Sequence, residues 1–172
     1  MRRLAAAAVA ALVVSLVGCG GSSSTGPTGN NSAPCTVTIT GAAAIVGTYT
    51  CASAPFVLYS PTTNVTAFTM TISGSKLITG TLVFAGIPST NPTYTNQNTS
   101  NLTPYGFQVT VGTAAWVFTA GQQANPLGSY SLKFSSVSGA NNIYTAHGTL
   151  DVNLVAATGS GATGTATMHV DF

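Results

Sequence analysis

The chain has 172 residues, of which only four are Lys or Arg and two are Asp, and it contains no Glu. Arg2 and Arg3 account for half of the positive charge, so beyond them Lys76 and Lys133 balance Asp151 and Asp171. Affinity for nucleic acid rests largely on Lys and Arg neutralising phosphates. A chain so poor in cations is expected to bind neither DNA nor RNA.

The N-terminus begins Met1-Arg2-Arg3 and continues through an uncharged Ala, Val and Leu run over residues 4–17, interrupted only by Ser15. That run falls short of the roughly 20 apolar residues of a membrane-spanning helix and has the layout of an export signal. It closes on Leu16-Val17-Gly18-Cys19, a cysteine behind a small residue with a leucine three positions before it. This pattern resembles the lipobox of bacterial lipoproteins. The resemblance covers residues 1–19 and implies that Cys19 becomes the first mature residue and carries acyl chains such as palmitate. It further implies that Gly20, standing where an aspartate often retains such proteins at the inner membrane, favours the outer membrane of the cell envelope. An ordinary signal peptide cut nearby is the alternative.

Residues 20–34 read GGSSSTGPTGNNSAP, with no large apolar side chain to anchor them. Such a Gly/Ser-rich stretch behaves as a flexible coil of roughly 20 Å end to end. The expected organisation is therefore a signal peptide over residues 1–18, a lipidated cysteine and linker over residues 19–34, and one domain over residues 35–172.

In that domain Val37 and Ile39 alternate with Thr36, Thr38 and Thr40, and Ile45, Gly47 and Tyr49 alternate with Thr48 and Thr50. A hairpin centred near Ala43 sets Val37 opposite Tyr49 and Cys35 opposite Cys51. A disulfide between these two cysteines fits an oxidising compartment. Closing a loop of about 15 residues would contribute roughly 3 kcal/mol in the chain-entropy model. A redox or metal-binding thiol pair would need CxxC spacing or nearby His, and neither is present.

The two-residue period persists through Phe68, Met70 and Ile72; Ile78, Leu82 and Phe84; Phe107, Val109 and Val111; Trp116 and Phe118; and Tyr130, Leu132 and Phe134. Phe56 to Tyr59 form a short apolar run between Pro55 and Pro61. Roughly nine short strands separated by Gly, Pro and Asn turns predict an all-β fold, a single antiparallel β-sandwich or small barrel behind the flexible tether.

Two stretches depart from scaffold. Residues 88–104 lack apolar alternation and exceed the connections usual in compact domains. There Tyr94, beside Asn91, Asn96, Gln97 and Asn98, offers an aromatic face among neutral amides, suited to a sugar or an uncharged protein surface; a solvated loop is the plainer reading. Trp116 is a second candidate platform, against ordinary core packing.

The other stretch is the C-terminal pair of strands. Leu150, Val152 and Leu154 alternate with His147, Thr149, Asp151 and Asn153, while Ala166, Met168 and Val170 alternate with Thr165, Thr167, His169 and Asp171. Pairing about a turn near Gly159 sets His147 opposite Asp171 and gathers both histidines and both acids on one polar face. His147, Asp151, His169 and Asp171 are thus candidate ligands for zinc or copper, or candidate hydrolytic groups, against a solvated face with weak ion pairs.

With no GxSxG elbow and no enclosed acid–base pair, neither catalysis nor a cofactor is expected. The sequence predicts a lipid-anchored envelope module that contacts the membrane through its N-terminus and binds a neutral envelope protein or glycan, or serves structurally. A small outer-membrane β-barrel is the further alternative, since Phe172 ends an alternating strand; short strands and the lack of two aromatic girdles weigh against it.

Overall fold

The computed structural model describes residues 35–51, 53–72, 76–96, 105–120 and 127–172. The signal sequence, Cys19 and the linker therefore lie outside the described residues, as do Gln97 and Asn98. Among the described residues the fold is all-β, with eleven strands and no helix.

In chain order the strands are β1 (Thr36–Gly41), β2 (Gly47–Thr50), β3 (Phe56–Ser60), β4 (Val65–Ile72), β5 (Leu77–Ala85) and β6 (Thr93–Thr95). They continue with β7 (Tyr105–Val111), β8 (Ala114–Ala120), β9 (Ser129–Ala140), β10 (Ile143–Ala156) and β11 (Thr165–Asp171). Their pairings are antiparallel, in the order β2-β1-β11-β10-β3-β4-β5-β7-β8. Because β8 also pairs with β10 at Val155↔Val117, the path from β10 through β3, β4, β5, β7 and β8 returns to its start.

The long strand β10 holds this arrangement together. Its first half pairs with β9 from Ile143 to Gly148 and its second half with β11 from Thr149 to Val155. A bulge between His147 and Gly148 interrupts the β9 pairing near its end, where Gly148 also exchanges backbone hydrogen bonds with Phe172. A side chain at Gly148 would stand 2.1 Å from the Lys133 carbonyl oxygen and 2.9 Å from Phe134 Cα, so only glycine admits β9 this closely. The β9–β10 turn is Asn141-Asn142, both with positive φ of 53° and 69°, the conformation a two-residue hairpin requires and asparagine tolerates.

Strict alternation separates inside from outside. Phe68, Phe84, Phe107, Phe118 and Phe134 are fully buried with Ile39, Ile78, Leu132, Leu150 and Leu154. Burying a side chain of this size contributes on the order of 1.5–3 kcal/mol, so this interior is the main source of stability. The rings pack tilted or edge-on, with Phe68 5.0 Å from Phe172 and Phe84 6.0 Å from Phe134. The one buried polar residue among those described, Thr66, donates its hydroxyl to the Gly86 carbonyl at 2.6 Å.

The first hairpin has the expected register, with Val37 opposite Tyr49. Cys35 and Cys51 form a disulfide with their Cα atoms 5.1 Å apart, and the Cys51 N–H donates to the Cys35 carbonyl at 3.0 Å. The stretch over residues 88–104 departs from the expectation of an irregular loop. It contains β6, which pairs with β9 through Tyr94↔Leu132.

Candidate functional site

The structure places both expected aromatic platforms, Tyr94 and Trp116, in the core. Tyr94 is only 5% exposed; its ring lies 4.0 Å from that of Phe84 and its hydroxyl accepts the Ser89 N–H at 3.1 Å. Asn91 is exposed, on the loop leading into β6. Asn96 clamps the start of β9: its amide donates to the Gly128 carbonyl at 3.3 Å and its side-chain oxygen accepts the Tyr130 N–H at 3.0 Å. Trp116 is 2% exposed and donates Nε1–H to the Thr163 carbonyl at 3.2 Å. Aromatic bulk outweighs the neighbouring polar residues in each case, because burying a ring with its polar atom satisfied gains more than leaving it in water.

The C-terminal strands also depart from the expected register. Asp151 pairs directly with His169 and Thr149 with Asp171, two residues off the pairing that would have joined His147 to Asp171. His147 instead faces Ser136 of β9, at the bulge. A two-residue shift preserves the face, so Asp151, His169 and Asp171 do meet, while His147 stays apart. His169 Nδ1 lies 2.6 Å from Asp151 and its Nε2 3.3 Å from Asp171. The Asp151 hydrogen bond raises the His169 pKa above 6.5; burial opposes this, and the charges of Asp151 and Asp171 and the Asp171 hydrogen bond add to the rise. When the ring is protonated, both nitrogens donate to carboxylates and neither lone pair is open to a metal. Among the described residues no group of three or more His, Cys, Asp or Glu could hold a metal ion, so the proposed ligand set does not assemble.

A different surface has the features of a binding site. Cross-strand register on the outer face of β3, β4, β5, β7 and β8 aligns Phe56, Thr69, Thr81, Gly106 and Thr119 in one row perpendicular to the strands. Beside it runs a second row, Thr71, Thr79, Gln108 and Val117. On the other side Ile143, Leu58, Ala67 and Val83 form a third, apolar row. At strand spacings of 4.7–4.9 Å the five-residue row is roughly 19 Å long.

Between the two polar rows lies an open trough of about 500 Å³, lined by Thr69, Thr71, Thr79, Thr81, Gly106, Gln108 and Thr119 among others. Its lining has no ionisable side chain. Thr69 Oγ1 and Thr81 Oγ1 share a hydrogen bond at 3.2 Å, whereas the side chains of Thr71, Thr79 and Gln108 make none among the described residues. The gap at Gly106 is imposed by packing: a Cβ there would come within 2.0 Å of the Phe118 carbonyl oxygen on β8. At one end of the row Phe56 is 50% exposed, and Ile143 close by is 55% exposed.

Sequence reasoning missed this surface because its residues are the outward members of strands recognised by their inward ones. One signal was available. Phe56-Val57-Leu58-Tyr59 is apolar on both parities, so a strand there must turn a large apolar side chain outward. No family model, curated protein or solved structure matches the chain.

Proposed function

We propose that the chain is a bacterial envelope lipoprotein, tethered to the outer membrane through acyl chains on Cys19, whose β domain is a non-catalytic module that binds a neutral partner. The observation that carries the binding reading is the charge-free trough beside a half-exposed phenylalanine: unpaired hydroxyls and an amide on a rigid sheet, next to apolar surface that water solvates poorly. The anchor reading rests on Leu16-Val17-Gly18-Cys19. The disulfide supports it, since Cys35 is cross-linked to Cys51 at the point where the linker reaches β1.

Two observations favour binding over catalysis and over a membrane-embedded barrel. His169 directs its nitrogens at Asp151 and Asp171, with no hydroxyl nucleophile on either, and lies on an exposed strand. On the ring strands β4, β5 and β7 the outward positions include Thr69, Thr71, Thr79, Thr81 and Gln108, a hydrated surface where a barrel in lipid would present an apolar band.

The test is growth of cells expressing the full chain with alkyne-tagged palmitate, followed by carbonate extraction of membranes. The wild-type chain should take up label and Cys19→Ala should not, and the variant should leave the membrane fraction without detergent. Label retained by Cys19→Ala, or a variant that stays embedded after extraction, would overturn the anchor.

A further inference from the structure

We propose that the trough on β4, β5, β7 and β8 binds a neutral polysaccharide chain laid across the strands, with one sugar ring on the face of Phe56; this rests on the reading of that surface as the binding site. Three features select this ligand class. The first is the distribution of polarity. A protein interface has an apolar centre and a polar rim, whereas here the hydroxyls of Thr69, Thr79, Thr81 and Thr119 occupy the middle and Phe56, Leu58 and Ile143 the margin. A sugar chain fits that inversion, because its hydroxyl edges need donors and acceptors along their length and its C–H faces need an aromatic platform only locally.

The second feature is charge. The trough lining is neutral, and the acids Asp151 and Asp171 belong to strands β10 and β11, off the β4–β5–β7–β8 face. Anionic polymers would gain no cation there and cationic ones no carboxylate, so uncharged glycans are preferred by exclusion.

The third feature is shape. The trough is open and continuous over four strands, and at Gly106 the row carries no side chain to stand above the sheet. The hydroxyls of Thr69 and Thr81 lie one strand apart and that of Thr119 two strands further on, multiples of a spacing close to the repeat of an extended pyranose chain. The threonine and glutamine groups can each donate and accept, which matches sugar hydroxyls that do both.

Affinity electrophoresis of the purified full chain through gels carrying a soluble neutral β-glucan, an α-glucan, a mannan or a carboxylated glucan tests the proposal. At least one neutral glycan should retard the wild-type chain and the carboxylated polymer should retard it less. Phe56→Ala should weaken retardation about tenfold through loss of the stacking platform, and Thr81→Val several-fold, with both variants melting near the wild-type temperature because these side chains are outward. Lys133→Ala should bind like wild type. A wild-type chain that ignores all three neutral glycans, or a Phe56→Ala variant retarded like wild type, would overturn the proposal. A photo-crosslinker at position 81 separates that failure from failure of the site: a specific protein adduct from envelopes would leave the surface a binding site and end the glycan assignment, and no adduct would end both.

Discussion

Two outer faces of this domain are built by the same alternation and end up chemically opposite. On β10 and β11 the outward charged and amide residues satisfy one another: His169 bonds Asp151 and Asp171, Thr167 donates to Asn153 at 3.2 Å, and Asn153 donates to Ser129 of β9 at 2.8 Å. On β4, β5 and β7 the outward Thr71, Thr79 and Gln108 are left without side-chain partners among the described residues. The charged face, which attracts attention first in a sequence with so few ionisable groups, is internally neutralised. The uncharged face retains hydrogen-bonding capacity at Thr71, Thr79 and Gln108, where a ligand can gain contacts without first breaking any.

Ways to break or sharpen that contrast run from large to small. Phe118 and Phe56 differ only in the side of the sheet they occupy. Phe118→Ala should cost roughly 3–5 kcal/mol of unfolding free energy by cavity formation, while Phe56→Ala should change it by less than about 1 kcal/mol; denaturant melts of both variants check this, and equal losses would mean Phe56 is packed rather than presented. Cys51→Ala should cost roughly 3 kcal/mol, the chain-entropy value for a loop of this length. Scored by thermal denaturation with and without reductant, the wild-type chain should move to the variant's midpoint only when reduced.

Gly106→Ala tests whether the gap in the row is structural. Its Cβ would meet backbone rather than a movable side chain, so β8 must shift, at an expected cost of about 1–3 kcal/mol by overpacking. Unchanged stability would show that the gap is not imposed by β8.

The smallest effect belongs to the charged face. Folding raises the His169 pKa, mainly through the Asp151 hydrogen bond, so the protonated imidazole stabilises the fold. That contribution is complete below about pH 6.5 and is lost as pH rises through the higher folded-state value. The groups are more than a third exposed, and solvent screening holds the effect to at most about 1 kcal/mol. His169→Gln should therefore melt slightly below wild type at mildly acidic pH, with the difference vanishing at alkaline pH. A gap that widened with pH would reverse the assignment.

How much of this was legible in the sequence depended on whether local pattern or tertiary packing decided the outcome. The β1–β2 register and the cysteine pairing were readable because both strands alternate cleanly around a short turn. The inward members of β10 and β11 were readable for the same reason, but their register was not. The connection over residues 157–164 is mostly Ala, Gly, Ser and Thr, with no residue that fixes its apex, and the pairing shifted by two. Tyr94 was misread because β6 is three residues long, too short to display a period, and its partner β9 lies far away in the chain. The second half of β9, Ser135 to Ala140, was illegible because it is mostly exposed and polar. The transverse rows could not be read at all, since they depend on the register of five strands at once.

The most direct measurement is an NMR titration of the full chain, labelled at its threonine methyl groups, with the neutral glycan that retards it most, because threonines report from both outer faces in a single experiment. The account predicts shifts at Thr69, Thr71, Thr79, Thr81 and Thr119, with Thr38, Thr40, Thr165 and Thr167 unmoved. Shifts confined to the β1 and β11 threonines, or none on either face, would contradict it.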